Sequence, residues 1–190
     1  MYEAIGLLEV QSIACGIDVA DAMLKAAPVD FIDTFMASPG KFVVLVHGDP
    51  SAVESSLRAG IASAGDQQLD SLIIPFIDPQ VFKAIRLQAE VTELAAIGVI
   101  ETSTVASGIL AADAAAKAAD VRLLALHLAR GIGGKSVLTL TGRLHEVQAG
   151  IDAGSAPATA TQRLVATRII ANPHPDLAAR VLAGSRPASA

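Results

Sequence analysis

Along the first half of the chain, apolar positions alternate between short runs and longer periodic stretches. Residues 4–10 form an apolar run broken only by Gly6 and Glu9, and a run of that length reads as a buried strand. The stretch 12–27 takes a helical period, with Ser12 placed to cap it. Strands over 29–37 and 42–46 flank Ser38-Pro39-Gly40, which predicts a hairpin. Asp49-Pro50 sets an N-cap residue before a proline at the first helical position and opens a helix to about Ala64. A last strand over 69–77 runs into Asp78-Pro79, where the same cap chemistry starts a short final helix.

The same order then recurs. Residues 4–29 align with 96–121 at a constant offset of 92, with 14 identities in 26 positions. Eight of the 14 are not alanine, among them Gly6/Gly98, Glu9/Glu101, Gly16/Gly108, Asp21/Asp113 and Lys25/Lys117, so alanine richness does not explain the match. After a two-residue slip, Gly40-Lys41 meets Gly134-Lys135 and Gly60 meets Gly154. The chain is therefore two copies of one domain, at 3–88 and 94–183, with 184–190 as a disordered tail. Four strands and three helices per copy predict the α/β (α+β) class. Each copy is expected to be a ferredoxin-like domain, a four-stranded antiparallel sheet with flanking helices.

Composition sharpens this picture. The chain of 190 residues is 52% hydrophobic but only 3% aromatic, so its core must be built from small aliphatic side chains. Mean hydropathy is high at +0.52. The longest stretch without a charged residue, Thr102 to Ala112, is nevertheless only 11 residues, against about 20 for a membrane-spanning helix. The apolar surplus is thus expected between elements or between subunits. Scattered basic residues and a net charge of −5 give no footprint for nucleic acid or for a membrane surface. One cysteine, Cys15, excludes an intramolecular disulfide and a four-thiolate metal site within one chain. The N-terminus lacks a basic n-region, and a cytosolic location is the expectation.

No residue pattern assembles a catalytic site. Ala129-Arg130-Gly131-Ile132-Gly133-Gly134-Lys135-Ser136 satisfies a relaxed phosphate-loop pattern, but that chemistry needs a strand before the loop and a helix after it. Here a strand follows, so a glycine turn is the better account. The four histidines, His47, His127, His145 and His174, stand at no metal-ligand spacing from one another. Cys15 falls on a helix among small apolar residues and reads as an inert thiol. Two repeated features remain: Lys25 and Lys117 near helix ends, where they complement the helix dipole, and the glycine-containing loops, which could line an opening.

The blocks Ala4-Ile5-Gly6-Leu7-Leu8-Glu9, Ala20-Asp21-Ala22-Met23-Leu24-Lys25-Ala26-Ala27 and Pro39-Gly40-Lys41-Phe42 resemble bacterial microcompartment shell proteins. So do residues 96–121 and 131–135. The likeness is to the tandem-domain, trimer-forming class, the propanediol-utilisation type in particular. It implies a homotrimer forming a pseudohexameric tile beside other hexameric and pentameric shell proteins, in a shell within the cytoplasm that surrounds encapsulated enzymes. It implies no enzymatic activity for the tile itself. Ala37, Ser38, Pro39 and Gly40, with Gly131, Ile132, Gly133 and Gly134, would line a central pore for small polar metabolites. Lys25 and Lys117 would lie along tile edges, near Asn172 and His174, with Asn172 standing where arginine is common in the family. In this type a cysteine occupies the position of Ser38, and three of them hold an iron–sulfur cluster. Serine is a poor ligand for such a cluster, so no cluster is expected, and no other metal. The alternative reading is a trimeric ferredoxin-like regulator that binds a nucleotide or small effector between subunits.

Overall fold

The computed structural model describes residues 3–184. The chain divides into two compact units, the first holding residues up to 77 together with 130–133, the second holding 78–129 and 134 onward. In the first unit the elements are β1 (Ala4–Val10), α1 (Ile13–Ala26), β2 (Asp30–Ala37), β3 (Lys41–Gly48), α2 (Pro50–Ala64) and β4 (Gln68–Ile74). Its sheet has the order β2-β3-β1-β4, antiparallel throughout. That is the arrangement of a split βαβ domain. All seven residues of β1 are buried, which is why the strand reads as a nearly continuous apolar run rather than an alternating one. The helices α1 and α2 pack on each other and over the central strands, closing a core that includes Leu8, Val10, Val19, Met23, Val44, Val46 and Val53.

The second unit contains α3 (Pro79–Ile85), β5 (Ala96–Thr102), α4 (Val105–Ala118), β6 (Arg122–Leu128), β7 (Ser136–Gly142), α5 (Leu144–Ala160), β8 (Leu164–Ile170) and α6 (Pro175–Gly184). Its sheet repeats the topology as β6-β7-β5-β8. The order of strands, which pattern alone left open, is thus the same in both copies.

One placement differs from the sequence expectation. The division at 3–88 put α3 with the first copy, whereas α3 packs on β6 and α4 of the second unit. The cause lies in three contacts. The Asp78 backbone N–H donates to Asp113 Oδ1 at 2.8 Å. The Gln80 amide serves the open edge of β6, its Nε2 donating to Val121 O at 3.4 Å and its Oε1 accepting from Leu123 N at 3.2 Å. Val81 and Ala84 are fully buried beneath the helix. Two boundaries also move: β4 ends at Ile74 rather than 77, and Gly184 closes α6. The rest of the expected tail, 185–190, lies outside the described residues.

The helix starts follow the local chemistry. Ser12 Oγ accepts from Cys15 N at 3.4 Å at the head of α1. Asp49 and Asp78 accept from the backbone N–H two residues on, with Pro50 and Pro79 completing each entry. Hydrogen bonds from the Ser51 hydroxyl and then the Ser51 backbone hold the Asp49 carboxyl below the usual carboxylate range. His174 plays this part for α6, its Nδ1 accepting from Asp176 N at 3.2 Å.

With so few aromatics, the layers sit close, and the repeated glycines mark the points of contact. A Cβ on Gly16 would lie 2.3 Å from the Phe42 ring, and one on Gly108 would lie 2.4 Å from Ser136 Cβ. A Cβ on Gly60 would meet Met23 Cγ at 2.6 Å, and one on Gly154 would meet the Ala111 carbonyl oxygen at 2.8 Å. A backbone oxygen cannot give way as a methionine can. Gly154→Ala is therefore expected to cost about 1–3 kcal/mol, the range for an overpacked core. Gly60→Ala should cost measurably less, and urea unfolding midpoints of the two variants check the order.

Candidate functional site

The two hairpins place the candidate pore residues. In the first unit the ladder closes at Ala37↔Lys41, leaving Ser38, Pro39 and Gly40 as an exposed three-residue turn. Gly40 has φ 107° and donates its N–H to Ala37 O at 3.0 Å, a conformation that suits only glycine. The Ser38-Pro39 peptide is cis. Ala37, expected at the rim, is instead 3% exposed at the end of β2, so it shapes the turn without presenting its methyl group.

In the second unit the ladder closes at Leu128↔Ser136 and residues 129–135 span the turn, braced by Ala129 N donating to Lys135 O at 2.8 Å. Gly131 and Gly133 are exposed, and Ile132 and Gly134 are half-buried. All three glycines have positive φ, at 71°, 67° and 82°. The tip, 130–133, groups with the first unit, where the Arg130 guanidinium donates to Asp33 and sits 4.9 Å above the Phe35 ring.

At the root of each hairpin lies a carboxylate–ammonium pair that sequence reasoning left without a role. Lys41 Nζ donates to Glu9 Oε1 at 2.8 Å, and Lys135 Nζ donates to Glu101 Oε1 at 2.7 Å. The signal was present: both partners recur in the two copies. Lys135, which a phosphate loop would need for its ligand, is thereby engaged with Glu101, and β7 rather than a helix follows it. Nothing in this geometry favours the nucleotide-binding regulator.

The repeated lysines are paired in the same manner. Lys25 Nζ reaches Asp21 Oδ2 at 2.5 Å, and Lys117 Nζ reaches Asp113 Oδ2 at 2.6 Å, each one helical turn away. Their surroundings differ. The Asp21 side chain is 60% exposed, whereas that of Asp113 is 11% exposed because its other oxygen accepts from the start of α3. Asn172 lies exposed in the bend after β8, and His174 caps α6. The Asp partners of both lysines were legible as an i,i+4 spacing.

Among the described residues no cluster of three or more His, Cys, Asp or Glu could hold a metal ion. The structure is thus a duplicated split βαβ domain whose exposed hairpins and ion pairs recur in both units. Comparison with known proteins identifies its family. The BMC domain family matches residues 4–77 and 96–173. The bacterial microcompartment shell protein PduT of Citrobacter freundii is 38% identical over 184 residues, 97% of this chain and 100% of that protein. A crystal structure of a microcompartment protein from Desulfitobacterium hafniense superposes with a TM-score of 0.89 at 46% identity, covering 93% of this chain and 98% of that one. A fused permuted hexameric shell protein from the RMM microcompartment gives a TM-score of 0.63 at 26% identity, over 84% of this chain and 83% of that one. The chain belongs to the BMC-domain family: it is a tandem shell protein of a bacterial microcompartment, with a structural and non-enzymatic role in the shell.

The hairpin roots differ in burial, Glu9 being 4% exposed and Glu101 30%. Removing one partner of a buried ion pair strands the other charge, at about 3–5 kcal/mol when both are buried. Because Lys41 is itself 31% exposed, Lys41→Met should fall at or below the low end of that range. Lys135→Met should stay within about 1 kcal/mol of wild type, as for exposed pairs. Adding Glu9→Gln to Lys41→Met should restore part of the loss in chemical denaturation.

Proposed function

We propose that three chains close into a pseudohexameric tile with a central pore that admits small polar metabolites. The repeat carries this reading. The turn, its Glu–Lys root and the Asp–Lys helix pair recur at equivalent places in both units, so each chain supplies two sixths of a six-part ring. Such closure would also use the apolar surface that high mean hydropathy implies, since a ring of contacts buries what a single small domain cannot.

In this arrangement Ser38, Pro39 and Gly40 alternate around the rim with Gly131, Ile132, Gly133 and Gly134. Exposed hydroxyls and backbone groups of small turns discriminate by size and hydrogen bonding. Lys25, Lys117, Asn172 and His174 lie along the outer edge and meet other hexameric and pentameric shell proteins, the enclosed enzymes being further partners. Lys25 and Lys117 are each held by an aspartate, which limits the entropy lost when the ammonium docks on a neighbour. The rim residue Ser38 offers a neutral hydroxyl, and Cys15 lies on α1. That donor set does not suit an iron–sulfur cluster, which thiolates normally hold, and the tile works without one.

Overexpressed protein, alone or with a hexameric partner, should form sheets, tubes or shells in electron micrographs. A discrete trimer that binds nucleotide and never forms sheets would overturn the reading. Lys25→Ala should reduce sheet formation while light scattering still reports trimers. Anaerobic reconstitution with iron and sulfide should leave no stoichiometric cluster absorbance; a cluster on wild-type protein would refute the hydroxyl-lined pore.

A further inference from the structure

One corner of the second unit is polar where the first unit is apolar. Val10, Cys15 and Phe42 are replaced at the equivalent positions by Thr102, Ser107 and Ser136. In the first unit the Phe42 ring lies across Gly16, its Cδ1 2.3 Å from where a Cβ would stand. In the second unit Ser136 takes that place against Gly108, with a single hydroxyl where Phe42 carries a ring. The exchange removes volume, yet the corner is the more closed of the two. Ser136 is 1% exposed, Ser107 6% and Thr102 0%, whereas Cys15 and Phe42 are half-buried.

The hydroxyls gathered there do not satisfy one another. Thr102 Oγ1 donates to Thr104 O at 3.1 Å. Thr104 Oγ1 donates to Ser107 Oγ at 2.9 Å and accepts from Ser107 N at 3.2 Å. Among the described residues the Ser107 hydroxyl proton therefore has no acceptor, and Ser136 Oγ has no partner of either kind. The oxygens converge beside Gly108, where the position of an added Cβ is 2.9 Å from Ser136 Oγ and 3.4 Å from Thr102 Oγ1. A buried hydroxyl left unpaired is costly. A closed corner that offers both donors and acceptors is where proteins hold internal water.

We propose that one internal water molecule occupies this corner, held between Ser136 on β7 and Ser107 at the head of α4, with Thr102 on β5 as its third partner. The water accepts from the Ser107 and Ser136 hydroxyls and donates to Thr102 Oγ1, so both idle protons are used. Water fits this set better than an anion does, because the site offers an acceptor as well as donors. The neighbouring charges in sequence, Glu101 and Lys135, are paired with each other. Ser136 directly follows Lys135, so the root of the second hairpin is joined to α4 through solvent, where the first is joined to α1 through the Phe42 ring. The site lies within one unit and does not depend on assembly into a tile.

A high-resolution crystal structure of the full chain should show one ordered water within hydrogen-bond distance of Ser136 Oγ and Ser107 Oγ. A dry corner overturns the proposal. So does a bromide peak at this place in anomalous maps after a sodium bromide soak, which would mark an anion site. Ser136→Ala gives a reading independent of diffraction, because a held water and a bare hydroxyl predict different signs. Loss of a hydroxyl that holds a water should lower the thermal unfolding midpoint by about 2–4 °C in a chain of this length. Loss of an unpartnered hydroxyl should leave the midpoint unchanged or raise it, and that result overturns the proposal.

Discussion

Close approach of backbone layers is the constraint on which the rest of the molecule depends. A core almost without aromatic rings cannot hold helices and sheet at wide spacing, because Ala, Val and Leu side chains do not span the gap at interior packing density. The chain meets this by placing glycine at the tightest points. Gly154 meets the Ala111 carbonyl directly, and Gly108 lets α4 settle on Ser136. These contacts fix where α1 and α4 lie relative to their sheets, and so where their last-turn lysines emerge. The β1–β3 and β5–β7 pairings bring Glu9 and Glu101 beneath their hairpins. The positions that look functional are thus consequences of a thin, tightly layered domain.

Duplication on this scaffold produced divergence more than symmetry. The first hairpin is a three-residue turn, whereas the second spans 129–135 and is tethered through Arg130 to Asp33 and Phe35. The helix pair Asp113–Lys117 is fastened to α3, while Asp21–Lys25 stands open. Fusing two copies into one chain allows such differences, because each half can change without its counterpart changing at the same time. In a ring of identical single-domain chains, every substitution would appear at all six places.

Much of this was legible from residue order. The offset of 92 gave the duplication, and the Asp49-Pro50 and Asp78-Pro79 pairs gave helix starts that hold in the structure. These signals are local, and local chemistry decides them. The position of α3 was not legible, since its attachment depends on Gln80 meeting a strand edge 41 and 43 residues away, and no periodicity encodes that. The burial of Ala37 at the end of β2 was hidden for a related reason, since which strand positions turn inward at a hairpin depends on packing across the sheet. The Glu–Lys roots fall between these cases: both partners were visibly repeated, but separations of 32 and 34 residues hid the pairings until the β1–β3 and β5–β7 registers brought them together.

The Gln80 amide has one more consequence. An outer strand of a sheet offers a row of unpaired N–H and C=O groups, a template on which another strand can build. By filling one donor and one acceptor of β6, a single side chain imitates the next strand and blocks its addition. Among the described residues the outer strand β2 has no such guard, and Phe31 on it is an exposed apolar side chain. Of these two equivalent edges, one is thus closed to a further strand within the chain, while the other keeps its N–H and C=O groups open to pairing.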